Sequence, residues 1–130
     1  MKVAIIDDNE VFRKLTKLSI QRLTLNVSEI LLFENGKEAI DFIKESLSVK
    51  ENIPKIILLD LNMPVMDGWK FLEEMLPINK DYDLKTIIYI VTSSAEDDDI
   101  ERAKHISDVK GYLIKPIRSD QIIELVNEFS

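Results

Sequence analysis

Ile56-Ile57-Leu58-Leu59-Asp60-Leu61-Asn62-Met63-Pro64-Val65-Met66-Asp67-Gly68 contains the chain's organisation in one stretch. Four consecutive apolar residues read as a strand covered on both faces, because a half-exposed strand would alternate with polar positions. The run stops on a carboxylate, Asp60. Pro64, Asp67 and Gly68 then turn the chain into a segment where Trp69, Leu72, Met75 and Leu76 recur at helical spacing. Pro77 is expected to end that helix or to follow its end closely.

The same unit recurs on both sides. Val3-Ala4-Ile5-Ile6 is a first strand, stopped by Asp7-Asp8-Asn9. Asp8 or Asn9 can cap a helix that carries Val11, Leu15 and Leu18. Residues 27–33 read as a second strand, broken at Asn35-Gly36 and followed by a stripe of Ala39, Ile40, Ile43 and Leu47. A polar connection, 48–54, precedes the third strand, and another, 79–85, precedes the fourth. Residues 86–91 are rich in β-branched types and form that fourth strand. Ser93 and Glu96 stand three apart, as in a capping box, before a helix through Ile100, Ala103 and Ile106. Residues 111–114 are the fifth strand, and Ile122, Leu125, Val126 and Phe129 line the last helix. Strand then helix, five times over, predicts an α/β fold with a parallel sheet, right-handed crossovers and helices on both faces.

The 130 residues predict one domain, 1–130, without a linker. On that reading no output domain follows, and any output goes through a separate partner. No cysteine and a single histidine exclude a disulfide scaffold, a thiolate zinc site and a multi-histidine metal site. No apolar run approaches the ~18 residues of a membrane span, and no secretory signal opens the chain, so the expectation is a cytoplasmic protein. Seventeen basic against 24 acidic residues give a net charge of −7, which disfavours a nucleic-acid binder.

In open α/β sheets ligands bind beyond the carboxyl ends of the strands, near the point where strand order reverses. Those ends carry Asp7 and Asp8, Asp60, Thr92 with Ser93 and Ser94, and Lys115 before Pro116. Each residue alone has a bland explanation, as a helix cap or a solvated charge. Together, four strand ends contribute compatible groups. Clustered carboxylates need a cation, and an oxygen-only donor set selects Mg²⁺, Mn²⁺ or Ca²⁺. Mg²⁺ takes one or two carboxylates and leaves room for phosphate oxygens. Thr92 would add a hydroxyl donor and Lys115 a fixed positive charge, the parts that hold a phosphoryl group beside a metal.

The residues at these positions closely resemble the receiver (response-regulator) domains of two-component phosphorelays, over essentially the whole chain. The segment 60–68 matches the family's pattern around its phosphorylated aspartate. Asp7-Asp8, Thr92 in Val91-Thr92-Ser93-Ser94, and Lys115-Pro116 match in order and spacing. No motif residue is missing, and the chain looks like a stand-alone member of the chemotaxis-regulator type. The resemblance implies a flavodoxin-like, doubly wound (βα)5 sandwich with a five-stranded parallel sheet. It implies that Asp60 takes a phosphoryl group from the phosphohistidine of a sensor histidine kinase or phosphotransfer protein. Mg²⁺ would be bound by Asp8, Asp60 and the Asn62 backbone carbonyl, and by Asp7 through a water. Lys115 would pair with Asp60 and then with phosphoryl oxygens, across a cis Lys115–Pro116 bond. Thr92 and Tyr112 would form the switch. The fourth helix, fifth strand and fifth helix, including 94–105, Tyr112 and 117–121, would present a surface to an effector protein or to a second copy of the chain.

Several residues carry less. Asn62 and Ser94 occupy positions that tune phosphoryl lifetime in the family. The run Asp97-Asp98-Asp99 fits a helix's acidic first turn better than a metal site. His105 reads as a helical surface residue, and Trp69 as packing. Two other classes compete. A Mg²⁺-dependent phosphatase of the haloacid-dehalogenase type shares a strand-end aspartate, but requires a second aspartate where Asn62 stands. A binding module with an inert acidic pocket needs no chemistry at all.

Overall fold

A computed structural model describes residues 1–94 and 96–127. Strands β1 (Lys2–Ile6), β2 (Glu29–Phe33), β3 (Ile56–Leu59), β4 (Ile87–Thr92) and β5 (Val109–Ile114) alternate with helices α1 (Glu10–Leu23), α2 (Gly36–Glu45), α3 (Gly68–Asp81), α4 (Asp97–Lys104) and α5 (Ser119–Asn127). The sheet is parallel throughout, in the order β2-β1-β3-β4-β5. The order reverses between β1 and β3, and the carboxylates lie there.

Alternation along each strand builds two cores. Ala4, Ile6, Ile57, Leu59, Ile88 and Ile90 face α2, α3 and α4, where Ile40, Ile43, Phe71, Met75 and Ala103 cover them. Val3, Ile5, Ile56, Leu58, Tyr89 and Val91 face α1 and α5, covered by Ile20, Ile122, Leu125 and Val126. Continuous apolar runs are thus explained: both faces of the three central strands are buried, and Val3, Ile5, Ile56 and Ile57 are fully inaccessible.

Five expectations are corrected. The α1 stripe of Val11, Leu15 and Leu18 faces solvent, at 66, 60 and 48% exposure. Helix α1 carries a second stripe on its other side, and that one is buried: Arg13, Thr16 and Ile20, flanked by Phe12 and Leu23. Arg13 is drawn inward because its guanidinium donates to the Asp7 carbonyl at 2.7 Å.

Pro77 lies inside α3, which continues to Asp81. The turn beyond Pro77 is anchored by buried Asn79. Its amide donates to Thr86 O at 2.9 Å and to Asp108 Oδ2 at 2.8 Å, and its Oδ1 accepts from Thr86 N at 3.0 Å. The polar connection therefore begins after Asp81, not at Asn79.

The capping box does not form. Glu96 itself is the N-cap of α4 and makes no side-chain cap bond, so the helix starts at Asp97, with Asp97, Asp98 and Asp99 in its first turn. The helix ends at Lys104, so Ile106 packs against the core from beyond it. The connection 48–54 holds a short 3₁₀ turn, Lys50–Asn52. The last position of the α5 stripe, Phe129, lies outside the described residues.

The loop from β3 to α3 is tightly constrained. A Cβ on Gly68 would stand 2.5 Å from Asp60 O and 2.8 Å from Leu61 Cα, so only glycine lets α3 start this close to β3. Val65 adopts φ 68° at the centre of a γ-turn closed by Met66 N→Pro64 O at 2.7 Å, a strained conformation for a β-branched residue. Gly36 N ties the same loop to α2 by donating to Met66 O.

Candidate functional site

The register of β1 and β3 creates the site. Ile6 stands opposite Leu59, so the next residues, Asp7 and Asp60, emerge side by side. Backbone bonds hold both in place: Asp60 N donates to Ile6 O at 2.9 Å and Asp7 N to Phe33 O at 3.1 Å. Asp7 is 1% exposed and Asp60 6%, while Asp8 lies open at the mouth. One carboxylate oxygen from each of the three lies within 4.8 Å of the others.

Two buried carboxylates and an exposed one repel, and the structure shows how this is relieved. Lys115 follows β5, and its N–H donates to Thr92 O at 2.8 Å, fixing the lysine's backbone to the end of β4. The Lys115–Pro116 peptide is cis, as expected. The Lys115 ammonium reaches back over the sheet edge to lie 2.6 Å from Asp7 Oδ2 and 3.9 Å from Asp60 Oδ2. The lysine thus pairs with Asp60, as the resemblance implies, and lies nearer still to Asp7. That Asp7 oxygen is held by the ion pair alone and makes no hydrogen bond, whereas Asp7 Oδ1 accepts from Asn9 N at 2.9 Å. One lysine cannot neutralise three carboxylates. Burial pushes the Asp60 carboxyl up to about 6, reinforced by the negative charge of Asp7; Lys115 and a 3.4 Å bond from Asn62 N oppose the rise, and Asp8 adds to it.

These donors fit a hard divalent cation. The cluster is all oxygen, carries excess negative charge, and contains a buried carboxylate oxygen without a hydrogen bond.

Thr92 closes β4, is 1% exposed, and sits beside the pocket with Ser94 N 3.5 Å from its Oγ1. Tyr112, on the neighbouring strand, is half-buried. Its hydroxyl is buried without a hydrogen-bond partner, and burial, with Asp99 and Glu96 nearby, raises the phenol's pKa. Asn62 is exposed beside Asp60. His105 is exposed at the C-cap of α4, 3.5 Å from Glu101. Trp69 packs against the core as expected, and Arg102 of α4 also stacks on its ring, 4.1 Å from the centroid.

Sequence reasoning missed Phe12, whose ring lies 4.4 Å from the Lys115 ammonium. An aromatic one turn into the helix that follows an acidic pair was the available signal. It also missed Arg13, whose guanidinium donates to the Asp7 backbone carbonyl.

The chain matches the response regulator receiver domain over residues 3–127. It is 29% identical over 127 residues to a probable methanogenesis regulatory protein, FilR2, of Methanothrix harundinacea, covering 97% of this chain and 79% of that protein. Among solved structures, it superposes on a two-component response regulator from Cytophaga hutchinsonii with a TM-score of 0.86, at 28% identity over 98% of this chain and 94% of that one. The receiver domain of the histidine kinase CKI1 from Arabidopsis thaliana, complexed with Mg²⁺ and BeF₃⁻, matches with a TM-score of 0.79 and 26% identity, over 98% and 87% of the two chains. With its five-stranded parallel sheet and its acidic pocket at the point where strand order reverses, this chain belongs to the response regulator receiver domains of two-component signalling.

Proposed function

We propose that Asp60 is the phosphoacceptor of a Mg²⁺-dependent signalling switch. The observation that carries this reading is the convergence of Asp7, Asp8 and Asp60 within 4.8 Å, with the Lys115 ammonium against them. An Asp60 oxygen attacks the phosphorus of a donor phosphohistidine. The new O–P bond forms as the P–N bond breaks, and the departing imidazole keeps the electron pair and takes up a proton. Asp8, Asp60 and the Asn62 backbone carbonyl, with Asp7 through a water, would hold Mg²⁺, which when bound would supply positive charge beside the transferred oxygens. The chain's own residues do the rest. Lys115 turns from Asp7 toward a phosphoryl oxygen, and the Thr92 hydroxyl donates to another.

Movement of Thr92 toward the phosphoryl group makes room for Tyr112, whose unpartnered hydroxyl gains little from its present position. The surface of α4, β5 and α5 changes shape with it. The phosphodonor is a histidine kinase or a phosphotransfer protein. The reader of the changed surface is an effector protein or a second copy of the chain. The protein works in the cytoplasm, as a switch that catalyses only its own phosphorylation and dephosphorylation; no described helix is long and apolar enough to cross a membrane.

Intact mass after incubation with acetyl phosphate and Mg²⁺ tests this. One added phosphoryl group, absent from Asp60→Asn, is the expected result. Turnover of a general phosphomonoester would favour the phosphatase class instead, and no modification would favour an inert binding module.

A further inference from the structure

Phe12 belongs to neither the acidic cluster nor the switch pair, yet it touches the pocket's one ammonium group. Its ring centroid lies 4.4 Å from Lys115 Nζ. A closed circuit fixes that ring. Asp7 Oδ1 accepts from Asn9 N at 2.9 Å, and Asn9 Oδ1, the N-cap of α1, accepts from Phe12 N at 2.9 Å. Phe12 faces Lys115, and Lys115 returns to Asp7 at 2.6 Å. Phe12 is also packed against the core shared by α1 and α5, so the ring cannot swing freely.

An aromatic face attracts a cation without adding negative charge to the pocket. That matters here, because a carboxylate in the same place would add to the repulsion around Asp60 and compete for Lys115. The ring holds the ammonium at the pocket while leaving it free to exchange one oxygen partner for another. We propose that Phe12 is a positioning residue for Lys115, keeping its ammonium within reach of Asp60 through the change of partner from Asp7 to the phosphoryl group. This deepens the proposed function and rests on it for its purpose.

Two readouts separate the contact from the chemistry. In wild type, the Lys115 ε-methylene protons should be shifted upfield by the Phe12 ring current. Phe12→Leu should lose that shift and Phe12→Trp should keep it. With saturating Mg²⁺ and acetyl phosphate, Phe12→Leu should phosphorylate roughly three- to tenfold more slowly, within the range such a contact carries, and Phe12→Trp should recover most of the rate. A simple packing role predicts a lower melting temperature for Phe12→Leu with an unchanged rate. A phosphorylated wild type matched in rate by Phe12→Leu, or a Lys115 shift that survives Phe12→Leu, overturns the proposal. A wild type that accepts no phosphoryl group, with the ring-current shift present, overturns the proposed function and with it the contact's catalytic purpose.

Discussion

Asp60 is the residue on which charge and fold meet. Its carboxyl, ordinarily near 3.8, is raised to about 6, first by burial and then by Asp7. A carboxyl raised on folding favours the folded state while protonated. Its contribution is fully present below pH 3.8 and is lost as pH rises through about 6. In EDTA, the melting temperature should therefore fall between pH 4.5 and 7.5 more steeply in wild type than in Asp60→Asn, when the two are scanned side by side. Asp60→Asn should also be the more stable at pH 7.5. Equal slopes would show that Asp60 is not the strained group. At this scale the sequence was legible wherever spacing decides: Asp7, Asp8, Asp60, Thr92 and Lys115 all stand at strand ends. Partners inside the pocket were not legible. Lys115 chooses Asp7 over Asp60 by a difference of 1.3 Å, from 2.6 to 3.9 Å, and Phe12 meets it from another element. Neither distance follows from position along the chain.

Elements were read correctly in kind and order, and misread where two signals compete. Helix α1 has apolar residues on both sides, so its period could not say which stripe is buried; the Arg13 bond to the Asp7 carbonyl helps settle it. Pro77 was read as a stop because it lacks an N–H, but the turn beyond it is held by Asn79, whose partners Thr86 and Asp108 stand just before β4 and β5. Asn79→Ala should cost roughly 2 kcal/mol or more in urea unfolding, because buried Thr86 N and O lose their bonds to the side chain. A change near zero would mean that the network is incidental. The switch also belongs to this scale. Beryllofluoride should move amide shifts across α4, β5 and α5, and Thr92→Ala should confine them to the pocket, with both conformers already present in the free chain. If the shifts stay local in wild type, Tyr112 is a fixed aromatic and the switching account is wrong.

For the molecule as a whole, the repeat of strand and helix was enough to derive the sheet, because continuous apolar runs demand cover on both faces. Strand order was not derivable from those runs; the structure supplies it, and places the acidic residues at its reversal. Mg²⁺ should stabilise the entire fold by relieving repulsion in that pocket. At 100 times its dissociation constant the gain is about 2.7 kcal/mol, a rise of several degrees in melting temperature that should shrink in Asp8→Ala. An unmoved melting curve would argue against a preformed cation site. The central claim, that this architecture exists to place one aspartate for phosphorylation, is tested most directly by locating the modification. The chain is incubated with acetyl phosphate and Mg²⁺, reduced with borohydride, which converts an aspartyl phosphate to homoserine, and mapped by peptide mass spectrometry. The account predicts homoserine at position 60 and nowhere else, and none when Mg²⁺ is withheld. Homoserine at position 7 or 8, or an unmodified position 60 in a folded, Mg²⁺-loaded chain, would contradict it.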